Sequence, residues 1–156
     1  QAIDAPDGSF DLVFMFKSLH HVPRELIAPS LREIHRVLRP GGRAYFSEPV
    51  YFGDFNDILS LFHDEEEVRR IAFDQLHAAV ETGLFELDAE VFFQVPGSYQ
   101  SWEQFEERFI KVTHTQHDIA PGLYQRIKNA FLAQMTSDGA HFLKPHRVDI
   151  LRRSGA

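Results

Sequence analysis

Residues 11–16, Asp-Leu-Val-Phe-Met-Phe, are a short continuous apolar run, after which the hydrophobic period changes: Ile27, Leu31, Ile34 and Leu38 fall on one face of an α-helix. The run fits a strand buried on both faces of a parallel sheet better than a half-exposed hairpin strand. Pro23 suits the first helical turn, where a missing N–H costs nothing, whereas Pro29 is expected to kink the helix or restart it near Ser30. Arg36 and Arg39 favour the negative helix end, and Pro40-Gly41-Gly42 stops the helix. Arg43 to Ser47 reads as the next strand. Strand, helix and strand in about forty residues predict a right-handed βαβ unit whose crossover helix covers the sheet. Burying its four aliphatic side chains contributes about 1.5–3 kcal/mol each, as an upper estimate.

Beyond Pro49 the pattern predicts helices and two further strands. Phe55, Ile58, Leu59 and Phe62 share a helical face, and Asp64 is expected to cap a second helix with Glu67 three residues later. The acidic run Asp64-Glu65-Glu66-Glu67 reads as dipole-stabilising and solvated, since adjacent helical carboxylates point in different directions. Phe85, Leu87, Ala89, Val91, Phe93 and Val95 alternate with mostly polar neighbours, predicting a strand with that face inward and closed by Pro96-Gly97. Ser101 with Gln104 is a capping box, and Pro121 opens another helix. Asp138-Gly139 turns into a last strand, about His146 to Arg152. Residues 96–145, between these strands, read as a helical insertion that serves as a lid or substrate-recognition element.

At 156 residues, 44% hydrophobic and 13% aromatic, the chain suits one globular domain. No cysteine is present, so there is no disulfide framework or thiol nucleophile, in keeping with a cytoplasmic setting. A net charge of −7 argues against nonspecific binding to nucleic acid or anionic membrane, and Arg147, Arg152 and Arg153 form too small a basic cluster to reverse it. No apolar run is long enough to span a membrane.

The order Phe10-Asp11-x-Val13, Leu19-His20-His21-Val22, Glu33-Ile34-x-Arg36-Val37-Leu38-Arg39-Pro40-Gly41-Gly42 and a strand ending in Glu48-Pro49 resembles the class I S-adenosylmethionine-dependent methyltransferases, in particular the methyltransferase type 11 group. The close match covers residues 1–49. The resemblance implies an α/β fold, the C-terminal half of a Rossmann-like seven-stranded sheet, with strands 4, 5, 6 and 7 in one partial domain of residues 1–156. The family's glycine-rich turn has no counterpart here, so the chain reads as a C-terminal fragment expected to be inactive alone.

For the intact protein the resemblance implies methyl transfer from S-adenosylmethionine to a small-molecule O, N or C nucleophile. It places Gln1, Ala2, Met15, Phe16, Lys17 and His21 near the cofactor, and Glu48, Tyr51, Tyr99 and Trp102 toward the substrate. No catalytic residue is assigned and no metal is implied. His21 has three open roles: packing beneath the following helix, lying near the site, or transferring a proton. Lys17 could pair with a carboxylate or point into solvent. Glu48 and Tyr51 could bind substrate or orient its nucleophile, while Tyr99 and Trp102 suit core packing or substrate stacking. His114-Thr115-Gln116-His117-Asp118 has a metal-ligand spacing but reads better as a helix C-terminus. A histidine-dependent hydrolase using His20, His21, His114 and His117 is a third, weaker reading. The competing class is an interaction module that makes homo-oligomers through the Leu12 to Phe16 edge.

Overall fold

The apolar run forms a strand: in a computed structural model that describes residues 2–112 and 118–155, β1 spans Phe10–Phe16. The helix α1 (Arg24–Val37) and the strand β2 (Leu38–Pro49) follow, with a 3-10 turn at Leu19–His21 before the helix. Ile27, Leu31 and Ile34 are buried, as their helical spacing predicts, whereas Leu38, expected on the same helical face, is buried as the first residue of β2 because the helix ends at Val37. The helix runs through Pro29 without the restart expected near Ser30. Burial of Ile27 on one side of it and of Leu31, Ile34 and Val37 on the other outweighs the roughly 3 kcal/mol that an interior proline costs.

β1 and β2 are parallel neighbours, with Val13 opposite Ala44 and Met15 opposite Phe46. Between Phe10↔Leu38 and Leu12↔Arg43 the register jumps, so residues 39–42 bulge out and β2 starts earlier than the expected Arg43. The glycines make that bulge: Gly41 has φ 74°, and a Cβ on Gly42 would lie 2.9 Å from the Arg39 carbonyl oxygen and 3.1 Å from that of Asp11.

The remaining elements are α2 (Asp54–Leu59), α3 (Glu66–Glu81), β3 (Phe85–Tyr99), α4 (Trp102–Phe109), α5 (Pro121–Leu132), β4 (Met135–Thr136) and β5 (Gly139–Arg153). The described chain divides into two compact units, residues 1–50, 66–93 and 146–156 in the first and 51–65 and 94–145 in the second. The strand order is β1-β2-β5-β3, with β5 antiparallel to β2, so the sheet is mixed. In the first unit, Leu19, Phe46, Leu76, Phe85 and Leu151 join the buried face of α1 in one core. Asp88 of β3 accepts hydrogen bonds from Arg43 Nε at 2.7 Å and Arg152 Nε at 2.9 Å. It thereby bridges two like charges that stand opposite each other on β2 and β5, and the two guanidiniums hold its carboxyl below the ordinary range.

Two burial expectations fail. β1 is not buried on both faces: Val13 and Met15 pack on the core, while Phe10, Leu12, Phe14 and Phe16 are 41%, 50%, 53% and 61% exposed. A strand supplies two apolar faces, but only one meets a layer among the described residues. In β3, Phe85 is buried in the core of the first unit and Tyr99 in that of the second, but Leu87, Val91 and Phe93 between them join neither core and are exposed. Nor do Pro96 and Gly97 end β3, which continues to Tyr99. The helix expected to be capped by Asp64 begins at Glu66.

The second unit has an aromatic core. Phe55, Tyr99, Trp102, Phe105, Phe131 and Phe142 are buried together. The Ser101 hydroxyl accepts from Gln104 N–H, and the Gln104 side chain accepts from Gln100 N–H at 2.7 Å, a capping box displaced by one residue on its return arm. Pro121 occupies the first turn of α5, where its missing N–H is harmless. Among the described residues no helix is long and apolar enough to cross a membrane.

Candidate functional site

Open α/β sheets bind ligands beyond the carboxyl ends of their parallel strands, and here those ends are Phe16 of β1 and Glu48 of β2. Lys17 N–H donates to the Ser47 carbonyl at 2.7 Å, prolonging the pairing by one residue. The chain then turns sharply. Lys17 has φ 50°, making it the positive-φ residue other than glycine among those described, a conformation that costs on the order of 1–3 kcal/mol and concentrates at functional sites.

Glu48 holds the turn. One carboxylate oxygen accepts from the backbone N–H of Ser18 at 3.1 Å and of Leu19 at 2.9 Å, and the other meets His20 Nδ1. Glu48, Leu19 and His20 are all buried. This carboxylate, which the resemblance sets toward the substrate, is therefore occupied in fixing the loop. His21 is exposed with its ring centroid 4.1 Å from that of His20, so it is not packed away beneath α1. Met15 is half-buried, while Phe16 and Lys17 are exposed at the strand end. Ala2 is exposed, and Gln1, His114 and His117 lie outside the described residues.

A polar group that the sequence reading missed lies in the same unit. Arg147, first grouped with a surface basic cluster, is buried, donates from Nε to Asp149 Oδ2 at 2.7 Å and stacks 3.9 Å above the Phe73 ring. Burial pushes the Asp149 carboxyl up, and Arg147 works in the opposite direction. The other two arginines are also engaged: Arg152 pairs with Asp88 and Glu86, and Arg153 donates to the carbonyls of Arg36 and Leu38. The spacing of Arg147 and Asp149 at i and i+2 on one strand face was the available signal.

In the second unit, Tyr99 and Trp102 are core residues rather than a stacking platform. Tyr99 stacks on Phe55 at 5.8 Å, and burial pushes its phenol up. Trp102 stacks on Phe105 at 5.6 Å and donates from Nε1 to the Tyr124 hydroxyl at 3.1 Å. Tyr51 instead lines a cavity of about 660 Å³, within the range of small-molecule pockets, together with Phe52, Asp54, Asp57, His141 and Leu143. His141 is steadied there by the Ser98 hydroxyl, 2.9 Å from Nδ1, and by Asp138, 3.4 Å from Nε2.

A family model described as "Methyltransferase domain" matches residues 1–46. The 27-O-demethylrifamycin SV methyltransferase of Amycolatopsis mediterranei is 36% identical over 116 residues, 67% of this chain. The chain belongs with the class I S-adenosylmethionine-dependent methyltransferases. This methyltransferase chain spans 39% of the length of the rifamycin enzyme. Its fold is shared with the YcgJ protein of Bacillus subtilis, with a TM-score of 0.61 and 16% identity over 99% of this chain and 68% of that one. A SAM-dependent methyltransferase of Methanosarcina mazei gives a TM-score of 0.55 at 15% identity, covering 99% of this chain and 64% of its own.

Proposed function

We propose that the chain supplies one wall of the S-adenosylmethionine site and the acceptor side of an enzyme that methylates a small-molecule nucleophile. The observation that carries this reading is the sharp turn at Lys17, pinned by buried Glu48 at the carboxyl ends of two parallel strands. Met15, Phe16 and Lys17 would border the cofactor, with His21 beside them. The strand order β1-β2-β5-β3 supports assigning these strands as 4, 5, 7 and 6 of a seven-stranded sheet. The relative's name, which specifies an O-demethylated acceptor, supports a hydroxyl as the acceptor group. The cofactor when bound supplies an already activated sulfonium methyl. What this chain then contributes is position: the first unit carries a loop fixed at its strand ends, and the second unit carries a cavity of small-molecule size.

Calorimetric titration with S-adenosylmethionine tests the reading. A chain that also carries the upstream half is expected to bind the cofactor, and the 156-residue chain is expected to show no measurable heat. Silence from both sinks the methyltransferase reading, and tight binding by the shorter chain sinks the division of the site.

The exposed stripe of Phe10, Leu12, Phe14 and Phe16, with Tyr45 ringed against Phe14 and Phe16 at 5.6 Å, favours a second property. In the longer protein it would pack against the upstream half, and in its absence two copies of this chain would bury it against each other. Sedimentation should then show a dimer that Phe14→Lys converts to monomer. A monomeric parent chain rules this out.

A further inference from the structure

Phe52 and Leu143, 73% and 66% exposed, stand out among the exposed large apolar side chains, and both lie on the wall of the 660 Å³ cavity in the second unit. Exposed apolar groups that converge on one concavity point to a ligand more directly than the same groups scattered over a surface. The charged wall is one-sided. Asp54 and Asp57 are exposed in the first turn of α2, three residues apart on one helix face, while the other titratable lining groups are His141 and the phenol of Tyr51. Among the described residues neither carboxylate has an ion-pair partner or a side-chain hydrogen bond, and no lysine or arginine lines the cavity. The nearby ammonium of Lys144 sits 4.9 Å from the centre of the Phe55 ring, so a ring of this wall already holds a cation on one face.

The helix dipole accounts for acidic residues at the start of α2, but not for the uncovered Phe52 and Leu143 beside them. Two carboxylates one helical turn apart repel each other, and a cation between them would turn that repulsion into attraction.

We propose that this cavity binds a bulky apolar or aromatic molecule carrying a protonated amine, with the hydrocarbon against Phe52 and Leu143 and the ammonium between Asp54 and Asp57. Calling that molecule the methyl acceptor rests on the function proposed above; the binding itself is a property of the second unit. The full chain is titrated calorimetrically, without cofactor, with 2-naphthylmethylamine, 2-naphthylmethanol and 2-naphthoate. The amine is expected to bind about tenfold more tightly than the alcohol, equivalent to 1.4 kcal/mol, and the carboxylate more weakly than either. The double variant Asp54→Asn/Asp57→Asn should bring the amine down to the alcohol and leave the alcohol unchanged. High salt should do the same to the unmodified chain, a measurement that does not depend on the variant folding. An amine that binds no better than the alcohol, or whose advantage survives both changes, overturns the proposal. Failure of all three probes also overturns it, while leaving the cofactor titration free to uphold methyl transfer.

Discussion

Replacing Glu48 with alanine is expected to destabilise the chain by about 3–5 kcal/mol, measured from the urea midpoint at unchanged m-value. Glu48 is 5% exposed and serves three donors from two oxygens. Its removal leaves the N–H groups of Ser18 and Leu19 without their acceptor and His20 buried without its carboxylate, and each such buried polar group costs about 1–3 kcal/mol. Glu48→Gln separates charge from geometry. The amide oxygen can take the place of the oxygen that serves both backbone groups, and the amide nitrogen can donate to the ring nitrogen that faced the other. The glutamine variant should therefore keep most of the stability, losing about 1 kcal/mol. Equal losses in the two variants would make the pairing with His20 dominant, and a loss below 1 kcal/mol for alanine would discard the clamp altogether.

That clamp also shows what the sequence could disclose. Helical faces were legible because their burial follows from spacing alone: Ile27, Leu31 and Ile34 of α1 all entered the core. One local cap was legible too, Ser101 with Gln104, whereas the helix expected to start at Asp64 begins at Glu66. The two failed burial expectations concern strands, where composition states which residues tolerate burial but not whether a second layer covers them. Phe10, Leu12, Phe14 and Phe16 are as apolar as Val13 and Met15, and only the latter pair faces the helices of the first unit.

Within the candidate site, the resemblance sets Glu48 toward the substrate, whereas its carboxylate meets the N–H groups of Ser18 and Leu19 and the His20 ring. Its partners are backbone N–H groups, which every residue other than proline carries and which leave no mark in a sequence. For Tyr99 and Trp102 core packing and substrate stacking were both open, and the structure places both residues in the aromatic core of their own unit. Of the substrate-side residues, Tyr51 lines the 660 Å³ cavity.

The second unit gives the other large effect. Phe105→Ala is expected to cost about 3–5 kcal/mol, the usual range for truncating a buried phenylalanine. Phe105 is fully buried, with ring centroids of Phe131 at 4.8 Å, Phe109 at 5.1 Å and Trp102 at 5.6 Å. Four rings meeting at such distances gain from edge and offset packing beyond their buried area, and the surrounding rings are too rigid to collapse fully into the space left. Trp102 is the one tryptophan in the chain and stacks on Phe105, so its fluorescence reads the loss directly from within the unit. Phe105→Leu, which keeps much of the volume, should shift the midpoint markedly less. If alanine shifts it no further than leucine, the core relaxes around the cavity, and a rigid aromatic scaffold could no longer be what holds the 660 Å³ cavity open.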